Sequence, residues 1–415
     1  MTLIDLGELR DEPAPEASRP PRSVGRPFRI LLALVVMLAT LTAGAPPARP
    51  RVSTLPGGLG AAVFISGDGV FVVRLLGPSA DATREIVAYR ADRERWRRRL
   101  PGPGTVVSVW EYAGRVLVLR QTGDDQAWDT VAYDAGTGAP AWRQPGAAIS
   151  VGEALLIQPV AGAARQPVRR VDPVDGRTLW TAPTTGELQF GSGSAGLDRL
   201  LLTAEAGRAV VLDVHDGTRL AARDLRLGGP LGRRRVVVAD GLLLEFGALT
   251  GVVNAYDLTT LRPRWTVTLP SVGYVDPCGA LLCAVRQSGG MWGLDPATGA
   301  VRWSVARWSG VVTAGAGRLL VGATDAGGGL AVLDAADGRV VADLGQWSVI
   351  PGYEVGGPLF VTRSLSGGRL LLAEADTSGD PPRPRDVFSG SDCESGTTLL
   401  ACRNRDADVE LWRLR

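Results

Sequence analysis

Six aspartates recur along the chain: Asp134, Asp172, Asp213, Asp257, Asp295 and Asp334, at steps of 38, 41, 44, 38 and 39 residues. A carboxylate is the residue type that holds a hard cation or takes a proton. A catalytic group is not needed six times, however, and each Asp opens the same local phrase. The spacing therefore assigns them to turns, where an Asp side chain accepts hydrogen bonds from N–H groups two residues on. The only histidine, His215, sits inside one such phrase. One imidazole supports neither a His-based metal cluster nor a Ser-His-Asp triad. All 45 basic residues are Arg, so no Lys is present for Schiff-base chemistry. No glycine-rich nucleotide fingerprint occurs. The residue types predict no catalytic, cofactor-binding or metal-binding set.

The phrase is clearest as Ala132-Tyr-Asp134-Ala-Gly-Thr-Gly138-Ala-Pro-Ala-Trp142. Four positions after the Asp stand Gly138, Gly176, Gly217, Gly299 and Gly338, with Leu261 in the Asp257 copy. Eight positions after it stand Trp142, Trp180, Trp265 and Trp303, replaced by Ala221 and Ala342 in two copies. A degenerate copy ending at Trp96 lacks both the Asp and the Gly. The Gly supplies the positive φ of a tight hairpin, and the Trp carries a large apolar area that can wedge between stacked units. Short Val- and Leu-rich runs such as Arg115-Val-Leu-Val-Leu-Arg fill the intervals, giving four strands per unit. A period near 40 residues means repeated supersecondary units that hide one another's apolar faces.

The phrase resembles the A-x-D-x-x-T-G-x-x-x-W signature of the PQQ-like propeller repeats, found in quinoprotein dehydrogenases and in BamB-like lipoproteins. The resemblance covers most of residues 58–415. It implies an all-β propeller of four-stranded blades. For the dehydrogenases it also implies a Ca²⁺-bound quinone in the channel, a vicinal Cys-Cys disulfide and a catalytic Asp. No adjacent cysteines occur here, so the expectation is no cofactor, with PQQ unsupported by ligand residues. A WD40 reading needs recurring Gly-His and Trp-Asp pairs, and the chain has a single Trp-Asp, at Trp128-Asp129. A kelch reading needs a double glycine in constant register, which is absent.

Full blades parse near 59–102, 104–145, 146–184, 187–226, 232–269, 271–306, 309–346 and 347–388. A remnant follows, and Arg51 to Pro56 reads as a fourth strand without a blade. Taken literally this makes nine; eight is the usual count for the repeat, so the expectation is eight within a range of seven to nine. Sharing one blade between the two chain ends leaves no open edge.

Residues 30–45 carry no charge and as a helix span about 24 Å, slightly short for a ~30 Å hydrocarbon core. Arg19, Arg22, Arg26 and Arg29 precede them, which places 1–29 in the cytoplasm and the remainder outside. A cleaved signal peptide competes through Ala43-Gly-Ala45, but Pro46 opposes cleavage there. The expected organisation is a disordered cytoplasmic tail (1–29), a single-pass signal-anchor helix (30–45), a linker with the closing strand (46–57) and the propeller (58–415). Export permits oxidation, so Cys278 with Cys283, and Cys393 with Cys402, are expected to pair within their hairpins. A zinc site is the rival and would need two distant Cys pairs brought together without His. The all-Arg usage points to a GC-rich, actinobacterial type of genome. A net charge of +2 gives no pull toward nucleic acid. Two arginine clusters, Arg93 to Arg99 and Arg233 to Arg235, suit either anionic envelope groups or a solvated outer strand.

These features predict a membrane-anchored, extracellular, non-catalytic binding scaffold for an envelope protein or cell-wall ligand. The alternatives are a PQQ-dependent alcohol or sugar dehydrogenase and a ligand sensor acting through the tail. No lipobox cysteine is present, which departs from the BamB-like lipoproteins.

Overall fold

The computed structural model describes residues 52–414 apart from short loops, the longest being 159–166 and 226–233. The expected tail and anchor, 1–45, lie outside the described residues. Strands are numbered in chain order. Blade 1 is β2–β5 (62–99), blade 2 β6–β9 (105–145), blade 3 β10–β13 (147–182) and blade 4 β14–β17 (186–224). Blade 5 is β18–β21 (234–268), blade 6 β22–β25 (272–305), blade 7 β26–β29 (308–345) and blade 8 β30–β33 (348–388). Each is an antiparallel meander in sequence order. Blade 9 combines β34–β36 (390–413) with β1 (Val52–Leu55), in the order β1-β36-β35-β34. Val52 pairs with Trp412 and Leu55 with Val409.

The described residues thus form nine four-stranded sheets. Nine is the top of the expected range, and the preference for eight is corrected. The final segment has only three strands of its own, and the strand from the other end of the propeller completes it.

Alternation along each strand builds the ring. In β3 (Gly69–Leu75), Val70 and Val72 pack with Leu399, Ala401 and Leu411 of blade 9, whereas Phe71 and Val73 pack with Val109, Val116 and Val118 of blade 2. Successive side chains on a strand point to opposite faces, so each blade is buried on both sides. Nine apolar clusters result, each bridging one pair of consecutive blades, and the last joins blade 9 to blade 1. The first strands of neighbouring blades approach one another, as β2 does β6 and β34. They form the inner wall. The fourth strands are mostly exposed, with β5 (Arg93–Arg99) burying only Trp96.

The phrase residues do their work between blades. Asp134 Oδ1 accepts from the Gly136 and Thr137 N–H groups at 3.1 and 2.9 Å, and Gly138 takes φ +67°. The other five aspartates accept in the same way, Asp172 from Val174 N and Asp334 from Ala336 N among them. The Trp ending one blade lies flat on the Gly of the next. A Cβ on Gly176 would stand 2.7 Å from Trp142 Cγ, and one on Gly138 2.5 Å from Trp96 Cδ2. The indole N–H then donates to the carbonyl just after the next blade's Asp: Trp96 to Ala135, Trp142 to Pro173, Trp180 to Val214, Trp265 to Pro296 and Trp303 to Ala335, at 2.8–3.1 Å. Each bond contributes about 1 kcal/mol net.

Two of the three irregular copies compensate one another. Blade 4 carries Ala221 where the Trp belongs, and blade 5 carries Leu261 where the Gly belongs. Leu261 is buried at 2% exposure with Ala221 packed against its cluster. The leucine fills the volume that an indole occupies elsewhere, at the cost of a left-handed φ of +54°.

Candidate functional site

With the aspartates engaged in turns and the tryptophans between blades, the groups left to act face the inner wall. A cavity of about 500 Å³ opens where blade 9 meets blades 8 and 1. Its walls are Ala62, Val63 and Phe64 of β2 (Ala62–Ser66), Val349 and Ile350, and Leu370. Blade 9 supplies the polar side: Ser391, Asp392, Cys393 and Glu394 of β34 (Gly390–Ser395), and Arg403. Arg403 binds the Asp392 carboxylate and also reaches the Ala61 carbonyl at 3.4 Å. Glu394 is half-buried, and burial pushes its pKa up to about 7.

The strand geometry explains this cluster. The pairing of β34 with β35 (Leu399–Asn404) shifts register between Ser391 and Glu394, and Asp392 takes φ +50°. The shift leaves Asp392 and Cys393 unopposed in the ladder and re-aims the side chains around them. The Cys393–Cys402 disulfide ties the two strands at the same place.

A second cavity of about 350 Å³ lies around the inner strands of blades 1 to 3, lined by Phe64, Val107, Trp110 and Ile149 among others. Trp110 Nε1 is buried there without a hydrogen-bond acceptor among the described residues. Phe64 borders both cavities. Two further inner-strand carboxyls titrate high because of the protein around them: Asp276 of β22 (Val272–Cys278), and Glu111 of β6 (Thr105–Tyr112), where Arg90 partly offsets the burial.

Apart from Cys393, which lines the first cavity, the residues singled out by the sequence lie elsewhere. Cys278 and Cys283 form a disulfide in the β22–β23 hairpin, with β23 spanning Leu281–Arg286. His215 is exposed, its N–H donating to Asp213. The arginine strand is partly neutralised: Arg97 binds Glu94 and approaches Glu85, Arg74 holds Glu85 at 2.6 Å, and Arg98 caps the Gly138 and Thr137 carbonyls. Of the second cluster, Arg233 and the Arg234 side chain lie outside the described residues, and Arg235 reaches the Gly273 carbonyl at 3.3 Å. Glu394 itself carries no sequence signal, because its isolation depends on which blades close around it.

A family model described as outer membrane protein assembly factor BamB matches residues 85–305 and 164–349, together more than half of the chain. The chain belongs to this BamB-like family of PQQ-type propellers. Solved structures with a similar fold include BamB from Moraxella catarrhalis, at 17% identity and TM-score 0.45, covering 89% of this chain and 98% of that one. The computationally designed Ika8 protein matches at 14% identity and TM-score 0.46, over 87% and 98% of the two chains. A europium-containing methanol dehydrogenase matches at 12% identity and TM-score 0.41, over 87% and 84%. No curated protein matches the sequence.

The Ca²⁺-bound quinone that the resemblance implies for the dehydrogenases would need a vicinal disulfide and a free carboxylate of this propeller. Its repeat aspartates spend a carboxylate oxygen on their own turns, and its cysteines pair across 5 and 9 residues instead of side by side. Among the described residues no three His, Cys, Asp or Glu converge to hold a metal ion. Among them, too, no helix is long and apolar enough to cross a membrane.

Proposed function

We propose that this chain is a membrane-anchored binding scaffold of the cell envelope, with residues 30–45 as the single-pass anchor and the propeller on the outer side. The observation that carries it is the use of the repeated polar residues. The aspartates of all six phrases, and the Gly and Trp wherever a phrase keeps them, are consumed in turns and blade contacts, which leaves a ring whose inner wall and loops are the surfaces free to bind. Membership of a family described by an assembly factor supports a protein-binding role. The uncharged run behind Arg19 to Arg29, together with two disulfides, supports an extracytoplasmic propeller.

The test is crosslinking in intact cells with the full-length chain, followed by identification of the linked molecules. An envelope protein or cell-wall fragment attached at inner-wall or loop residues is the expected result. Alkaline phosphatase fused after Arg415 should be active, which reports export of the propeller. Purified chain given PQQ and Ca²⁺ should neither bind the quinone stoichiometrically nor reduce a dye with alcohols or sugars. Turnover in that assay overturns the scaffold reading.

A further inference from the structure

The cavity at the closing blade has one feature that its neighbours do not share. Its walls from blades 1 and 8 carry no charge: Ala62, Val63, Phe64, Val349, Ile350 and Leu370 are apolar, and Thr362 is neutral. Among the described residues, the charged groups facing it all come from blade 9. Two of these, Asp392 and Arg403, bind each other. The carboxyl of the third, Glu394, has no hydrogen bond or ion pair with any described residue. Burial is the sole cause of its upward titration, and no neighbouring charge contributes. A half-buried carboxylate is costly to ionise beside apolar walls when the one cation in the described lining, Arg403, is already held by Asp392, and the cost falls when a further cation arrives. The volume of about 500 Å³ lies within the range of small-molecule sites.

We propose that this cavity binds a small organic monocation, an ammonium group carried on a compact apolar body, with Glu394 as counter-ion and the Val63, Phe64 and Ile350 wall around the body. An anion is repelled by Glu394. A neutral apolar molecule fills the box but leaves the carboxylate unpaired. The site goes beyond the scaffold reading and does not depend on it. It would give the propeller a ligand whose occupancy spans three blades at the point where the ring closes.

The experiment is calorimetric titration of the full-length chain in a neutral detergent with hexylammonium, hexanol, hexanoate and a short lysine-containing peptide, at pH 8 and pH 5.5. Hexylammonium should bind tightest at pH 8. Its affinity should fall about 30-fold at pH 5.5, from the ionised fractions of a group titrating near 7. Glu394→Gln should abolish this preference over hexanol. Asp276→Asn, which changes another high-titrating inner-strand carboxyl outside the cavity, should leave both affinity and pH profile intact. If Glu394→Gln does not fold, the wild-type pH profile and the ranking of the three hexyl compounds decide. Three results each overturn the proposal: hexanol or hexanoate binding as tightly as hexylammonium, affinity independent of pH, or the peptide binding where hexylammonium does not. Failure of the scaffold reading shows in the crosslinking and quinone assays and leaves this titration unaffected.

Discussion

Exchanging the irregular pair for the regular one tests the account of how blades dock. Ala221→Trp alone drives an indole into space already filled by Leu261, and overpacking of this kind costs about 1–3 kcal/mol. Leu261→Gly alone removes a side chain that is 2% exposed, a loss of about 2–5 kcal/mol. Release of the left-handed φ of +54° returns about 1 kcal/mol. Independent effects would sum to about 2–7 kcal/mol. The double variant instead recreates the arrangement of Trp180 on Gly217, including an indole N–H aimed at the Leu258 carbonyl, the counterpart of Trp180 to Val214 at 3.1 Å. Its stability should return to within about 1 kcal/mol of the parent, which from that sum is a favourable coupling of about 1–7 kcal/mol. Urea unfolding of the four proteins, followed by tryptophan fluorescence and circular dichroism, measures the cycle. A double variant as unstable as the sum of its parts would refute the docking argument.

Arg120 is 1% exposed and clamps Asp129 with two bonds of 2.9 and 2.7 Å. Arg120→Met should cost about 3 kcal/mol in thermal unfolding, because it strands a buried carboxylate. Arg143→Ala, which removes the more exposed partner of Asp129, should cost less than about 1 kcal/mol. Converting Cys278 and Cys283 to alanine should lower stability by about 2 kcal/mol, and Cys393 and Cys402 by about 2.5 kcal/mol, read from denaturant midpoints. Acid should weaken the turns. Thr137, Thr260 and Arg302 hold the carboxyls of Asp134, Asp257 and Asp295 below the usual range, so their contribution is complete above about pH 4 and is lost as pH falls through the folded values. Glu394 has the opposite sign. Its folded pKa of about 7 exceeds 4.5, so it weakens folding as pH rises between them, and Glu394→Gln should gain stability over the parent at pH 8 but not at pH 4.5.

The ring was readable because its signals are local. Asp134, Gly138 and Trp142 lie within nine residues, and turn chemistry plus strand alternation assign them without tertiary knowledge. The hairpin cysteines were readable for the same reason. The blade count was harder, because β1 and β36 are separated by more than 350 residues and no periodicity links them. The inner-wall cavity was not readable at all. Phe64, Ile350 and Glu394 meet only because the chain closes, and Glu394 differs from other acidic residues only in what fails to surround it. Leu261 looked like a lapse in the pattern, since the deletion that balances it, Ala221, stands in the preceding blade.

Closure by β1 also sets an order of events during synthesis. Val52–Leu55 is made early, yet its partner β36 ends at Arg413. At about 5–20 residues per second, the nascent chain waits roughly 20–70 s for the missing zipper half. Through most of that interval the first blade presents an uncovered face, the one that Leu399, Ala401 and Leu411 later shield, and in its last few seconds the eighth blade presents the one that Leu400 and Trp412 shield. A product shortened by a few residues at the carboxyl end would keep both faces bare, and proteases or chaperones that patrol sticky surfaces would meet it before any ligand does.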